Sequence, residues 1–333
     1  MKLLLKISVI TLFLIFYFGF YSESIAQVQT PIDGVTIDTS NENPKPGQNV
    51  DIFIESYLFD LNSSSIVWTV NGKVSDKGIG IKKISVPAPK IGTQIDVSVD
   101  IKGSDGREVK KAISIRSGYV DLVWESDGYV PPFYKGKAPF SYQNNVRITA
   151  IPHLAKNSGT EVDPRTLVYT WKLGGKYIDN GQGYGKQSVV IEYGDIPKTL
   201  EITVDVINRE QTLHTVGSMN LTPSEPSLLF YEEDSLYGIY YNKVLPDKFN
   251  LKNVEAKILA IPYGFNLNNQ EIDYTWSINN IEQSDLIKNR SIIIRTKGDT
   301  SGSSNLFLDI RNQDRILQGA RGNFTINFKK RDL

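Results

Sequence analysis

The chain has 333 residues, and its 37 Lys and Arg are balanced by 37 Asp and Glu. Zero net charge argues against an electrostatic nucleic-acid binder, which needs a basic surplus or stripe. The absence of cysteine excludes disulfides, thiolate metal sites and cysteine catalysis, and two histidines leave little material for acid–base work near neutral pH.

The N-terminal segment carries Lys2 and Lys6, then an almost wholly apolar run from Ile7 to Tyr21, then Ser24-Ile25-Ala26. A charged start, an apolar middle and small residues at the −3 and −1 positions make a secretory signal peptide over 1–26. The apolar run is shorter than the roughly 20 residues a spanning helix needs. An uncleaved anchor is the competing reading, and would be the chain's one link to a membrane. The expected location is exported: cell surface, periplasm or extracellular space.

Beyond residue 26 the pattern is a repeat. Trp68, Trp171 and Trp276 are spaced 103 and 105 residues apart. Each sits in a short β-rich run: Ile66-Val67-Trp68-Thr69-Val70, Val168-Tyr169-Thr170-Trp171-Lys172-Leu173 and Asp273-Tyr274-Thr275-Trp276-Ser277-Ile278. The third and fourth residues after each Trp are Asn71-Gly72, Gly174-Gly175 and Asn279-Asn280. These tolerate positive φ and predict a two-residue type I′ hairpin. Later strands alternate with period two: Ile95, Val97, Val99 and Ile101; Ile202, Val204 and Val206; Leu306, Leu308 and Ile310. Such alternation means one buried face and one wet face. The reading is all-β: three tandem immunoglobulin-like β-sandwiches of about 100 residues each, over 27–117, 118–224 and 225–333, after the signal peptide helix. Each Trp packs against the opposite sheet. Short proline-bearing linkers such as Thr222-Pro223-Ser224-Glu225-Pro226 favour a semi-rigid rod.

The opening Pro44-Lys45-Pro46-Gly47, the Trp strand and Asn71-Gly72 resemble the bacterial Ig-like and PKD-like repeats of exported surface proteins. In those repeats a Pro-Gly turn opens the domain and a Trp and an Asn-Gly hairpin follow. The third copy departs, with Asn279-Asn280 and no opening Pro-Gly turn. The later copies also resemble exported multidomain proteins of candidate-phylum bacteria. These resemblances imply a fold and carry no activity with them.

Two copies have an additional segment. Trp124, Glu125, Asp127, Phe133, Tyr134 and Pro139 line up with Tyr231, Glu232, Asp234, Tyr240, Tyr241 and Pro246 at a constant offset of 107. The first copy has nothing comparable and no preceding domain. That distribution predicts a domain-junction pad, with aromatic rings buried against the preceding sandwich. The competing reading is a ligand groove. There Trp124, Tyr129, Phe133 and Tyr134 would stack on sugars while Glu125 and Asp127 accept from hydroxyls or hold calcium.

Other motifs read as structure. Gly181-Gln182-Gly183-Tyr184-Gly185-Lys186 precedes a strand, whereas a phosphate loop needs a helix after it; a turn or bulge is expected. Lys297-Gly298-Asp299 is read as a loop. Neither His153 nor His214 has a Gly-x-Ser-x-Gly or His-Glu-x-x-His pattern nearby. No cofactor, metal or catalytic residue is assigned. The expected function is a non-catalytic exported module for adhesion, scaffolding or protein–protein interaction. Its partners would be other cell-envelope or surface proteins, and the alternative is envelope carbohydrate binding.

Overall fold

A computed structural model describes residues 34–57, 60–192, 194, 196–267, 271–286, 288–296 and 301–329. The signal segment 1–26 and Lys297-Gly298-Asp299 fall outside them. Strands make up the fold, with three single-turn 3₁₀ segments and no α-helix among the described residues. None of their helices is long and apolar enough to cross a membrane.

The strands form three pairs of sheets. In the first pair, β1 (Val35–Thr39), β2 (Asn49–Ser56) and β5 (Lys83–Pro87) make one sheet. Its companion holds β3 (Ser65–Val70), β4 (Lys73–Ile79), β6 (Gln94–Lys102) and β7 (Glu108–Arg116) in the order β4-β3-β6-β7. The second pair repeats this plan. β8 (Tyr119–Ser126), β9 (Val146–His153) and β12 (Ser188–Ile191) face β10 (Val168–Leu173), β11 (Lys176–Tyr184), β13 (Leu200–Ile207) and β14 (His214–Leu221), ordered β11-β10-β13-β14.

The third pair adds short strands to the same scheme. One sheet is β16 (Gly238–Ile239), β15 (Ser227–Asp234), β18 (Glu255–Tyr263) and β21 (Ser291–Arg295). The other runs β17 (Lys248–Asn250), β23 (Gly319–Phe328), β22 (Gly302–Asn312), β19 (Ile272–Ile278) and β20 (Ile281–Glu282). All pairings in it are antiparallel except β17 with β23. This is the tandem Ig-like sandwich architecture.

One local choice sets the strand order. Asn71 and Gly72 have φ of 47° and 78°, Gly174 and Gly175 54° and 77°, Asn279 and Asn280 50° and 65°. Two consecutive residues at positive φ make the type I′ turn. With only two residues of slack, the fourth strand must stay beside the Trp strand. It cannot cross to the other sheet, as it does in constant-type immunoglobulin domains.

Each sandwich closes over its tryptophan. Trp68, Trp171 and Trp276 are fully buried, at 0% exposure. Each indole N–H donates to a main-chain carbonyl beyond the hairpin: Ile81 at 2.7 Å, Lys186 at 2.7 Å and Asn289 at 2.9 Å. These acceptors lie just ahead of β5, β12 and β21, strands of the opposite sheet. The tryptophan therefore fills the core and also fixes where the chain enters the facing sheet. Around Trp171 pack Ile148, Val189, Ile202 and Val204; around Trp276 pack Phe230, Ile258, Leu308 and Phe324.

Gly181 shows why a glycine stands in the Gly-rich stretch. A Cβ there would lie 2.8 Å from the Trp171 Cβ. The first four residues of the stretch, Gly181 to Tyr184, end β11, and the ladder between β10 and β11 shifts register beside them. It is a bulged strand, as a glycine inside a strand often marks.

The chain divides into two compact units. One comprises Asp51–Ser85, Asp96–Ile113 and the described part of Met1–Ser40; the other comprises Asn41–Val50, Val86–Ile95 and Ser114–Leu333. The second and third sandwiches share the second unit.

Candidate functional site

The two aromatic segments that align in sequence are not equivalent on their strands. Trp124 stands opposite Ile148 on β9 and packs against the core of the second sandwich. Its ring lies 6.5 Å from Phe140, edge-on, with the Lys137 ammonium 4.9 Å from its centroid. Glu125 points outward and pairs with Arg147 at 3.3 Å. On β15 the core is served by Leu228 and Phe230, so Tyr231 faces the other way. Strand side chains alternate, and a one-residue difference in register exchanges the faces. The constant sequence offset places an inward Trp over an outward Tyr.

The acids diverge as well. Asp127 accepts from the Asn145 backbone N–H and side-chain amide, both at 3.0 Å, and from the Asn266 Nδ2 at 2.6 Å. Burial lifts its carboxyl above the usual carboxylate range, against the opposing pull of Arg315 and these hydrogen bonds. Asp234 instead accepts the N–H groups of Leu236 and Tyr237, at 2.8 and 3.0 Å, and is held below that range by them. One acid belongs to a joint, the other caps a turn. No group of three or more His, Cys, Asp or Glu among the described residues could hold a metal.

The joint lies between the second and third sandwiches, inside one compact unit. Tyr129 donates its N–H to the Phe265 carbonyl at 2.7 Å, and Gly264 returns one to the Tyr129 carbonyl at 2.9 Å. Fully buried amides complete it. Gln318 donates to the Tyr142 carbonyl at 2.9 Å and to Asn144 Oδ1 at 2.6 Å; its own Oε1 accepts from the Asn266 N–H at 3.0 Å. Asn144 donates to the Gly264 carbonyl at 2.7 Å. Gln143 accepts the Leu317 N–H at 2.8 Å, and its carbonyl accepts from Arg315.

Aromatic rings cover one side of this joint. Tyr129, Tyr231, Tyr241 and Tyr263 gather with Leu259 and Ile261 on the outer face of the β15–β18 ladder. Tyr134 meets the Tyr263 ring edge-on at 5.8 Å. The Tyr231 and Tyr263 hydroxyls are 2.6 Å apart, and burial together with this contact drives the Tyr263 phenol well above its ordinary range. Tyr129 thus packs against the sandwich that follows it, not the one that precedes, and Tyr134, itself exposed, touches the same sandwich through Tyr263. Phe133 projects from this segment at 90% exposure with φ 67°.

A second place draws on the sequence-derived residues. Glu232 and Tyr240 line a cavity of about 180 Å³ on the third sandwich, with Lys243, Lys248 and Lys252. Buried Leu245 and Phe249 form its floor and anchor the loop to the core. The lysines were missed because nothing in their spacing marks them. They line one cavity in a stretch that buried Leu245 and Phe249 anchor to the core.

The histidines sit apart from both places. His153 Nε2 is 3.1 Å from Asp121 and its ring stacks on Tyr119 at 4.4 Å; His214 Nε2 is 2.9 Å from Asp205.

No protein-family model matches the chain, nor does any curated protein. Among solved structures it is similar to the three N-terminal domains of the bacteriophage RB49 outer capsid protein Hoc, at 12% identity, covering 90% of this chain and 99% of that one with a TM-score of 0.27. It is also similar to fibronectin(III)-like modules of Clostridium thermocellum CbhA, at 12% identity, 57% and 94% coverage and a TM-score of 0.28. A third is the Bacteroides ovatus protein SGBP-B, solved with a mixed-linkage heptasaccharide, at 10% identity, 88% and 70% coverage and a TM-score of 0.21. The fold assignment rests on the sheets and cores described above.

Proposed function

We propose that the chain is a non-catalytic exported protein whose tandem Ig-like sandwiches form an interaction module of the cell envelope, serving adhesion or scaffolding through contacts with other surface proteins. The observation that carries this reading is the joint between the second and third sandwiches. Backbone exchange between Tyr129 and the Gly264-Phe265 pair, with Gln318 and Asn144 buried at 0% exposure, couples two modules into one piece. A protein that holds partners or transmits load gains from such coupling, because a stiff joint lowers the entropy lost on binding.

Cell fractionation with N-terminal sequencing and cross-linking of the exported chain tests the proposal. The expected result is recovery in the envelope or medium, with Gln27 as the first residue and cross-links to envelope proteins. Recovery in the cytoplasm with Met1 retained would overturn it.

A further inference from the structure

We infer that the cavity between the loop 241–252 and β15 is a binding site for one acidic sugar residue of a polysaccharide, with its carboxylate among Lys243, Lys248 and Lys252 and its ring against Tyr240. Three observations support this. First, Lys243, Lys248 and Lys252 all line one cavity with Glu232 as the sole acid lining it, giving a local surplus of positive charge. None of the three lysines takes part in an ion pair within the described residues. Like charges around one cavity repel, so an anion arriving there gains from each of them.

Second, one wall is a preset aromatic ring. The Tyr240 backbone N–H donates to the Glu232 carbonyl at 3.0 Å, and its hydroxyl donates to the Asp234 carboxylate. Asp234 is itself held by the turn N–H groups of Leu236 and Tyr237. The ring is therefore oriented before any ligand arrives, which removes a cost of binding. An apolar floor of Leu245 and Phe249 suits the C–H face of a sugar better than a bare phosphate.

Third, the size is limiting. A cavity of about 180 Å³ is below the range of roughly 300–1,000 Å³ that encloses a drug-sized ligand. It fits one unit of a longer chain. An acidic peptide would pair with a sheet edge, but the strand at hand, β17, has only three residues. Lysines, as flexible point charges, read the carboxylate's charge and not a planar geometry.

The inference goes beyond the interaction-module reading and fails separately from it, since localisation and cross-linking do not depend on this cavity. The test is titration of the full chain with hexagalacturonate, followed by NMR and calorimetry. Neutral cellohexaose, inorganic phosphate and hexaglutamate serve as comparison probes. Hexagalacturonate is expected to bind, with shifts confined to 232–252, and to weaken as salt rises. Lys243→Gln, Lys248→Gln and Lys252→Gln should each weaken it about three- to tenfold, and Tyr240→Ala about tenfold. An unchanged spectrum around Trp276 shows that a variant is folded. Equal binding of cellohexaose, unchanged affinity in the lysine variants, or binding of hexaglutamate or phosphate alone would overturn the site. So would no binding of any probe.

Discussion

Trp68, Trp171 and Trp276 each do two jobs, and substitutions separate them. Trp→Ala removes the ring from a fully buried position and should cost about 3–5 kcal/mol, enough to unfold its sandwich. It also strands the carbonyl of Ile81, Lys186 or Asn289. Trp→Phe keeps most of the apolar volume and loses the N–H donor, so its cost should be near 1–3 kcal/mol. Urea unfolding of the two series checks this, and similar losses in both would remove the carbonyl's role. With no cysteine, midpoints should not move on adding reductant. Asp127 adds a pH signature. Its folded-state pKa is raised from 3.8, so the protonated form is favoured in the fold. The stability it contributes is fully present below 3.8 and is lost as pH rises through the raised value. Asp127→Asn lacks this titration and should therefore gain on the wild type over that window. A constant difference between pH 3 and 7 would contradict the burial of Asp127.

Among elements, the hairpins are the most legible from sequence and the aromatic segments the least. Asn71-Gly72 and its counterparts announce the type I′ turn because positive φ is a local demand that few residues meet. The third copy meets it with Asn280 at φ 65°. Replacing Asn280 by Gly should stabilise the third sandwich by about 0.5 kcal/mol, since Gly carries no Cβ penalty there; thermal unfolding measures it. Strand faces are another matter. Trp124 and Tyr231 share sequence surroundings yet face opposite ways, because facing depends on pairing with β9 and β18 and not on neighbours in the chain. The same limit hid the joint. Gln318 reaches Asn144 across 174 positions, and an amide's partner leaves no trace in its local sequence. Lys243, Lys248 and Lys252 were hidden likewise, brought to one cavity in a stretch that Leu245 and Phe249 anchor to the core.

At the level of the whole molecule, the repeats are alike inside and unlike at their ends. The tryptophan core recurs three times, and the β10 and β3 sheets share one strand order. The joint between the second and third sandwiches combines buried amides with the aromatic cluster around Tyr129 and Tyr263. Truncating a member leaves several polar groups unsatisfied at once. Gln318→Ala removes donors to Tyr142 and Asn144 and an acceptor for Asn266. It should cost about 1–3 kcal/mol, and amide exchange should rise at 142–145 and 264–266 while the β10–β13 ladder stays protected. Uniform exchange across both sandwiches would mean that the joint is not a separate cooperative element.

Gly128 and Gly264 carry this further. A Cβ on Gly128 would come within 2.6 Å of the Pro139 carbonyl and 3.1 Å of the Gly264 Cα, and one on Gly264 would run into Ser141. The main chains at Gly128 and Gly264 meet closely there, with the Asn144 and Ser141 side chains filling the space that a Cβ on either glycine would need. The sandwiches are therefore not interchangeable beads. A chain with its second and third units exchanged, or with the first grafted ahead of the third, would still fold each core around its tryptophan. It would lack the matched glycines and amides that seat one unit on the next. The second and third sandwiches are thus matched to one another residue by residue where they meet.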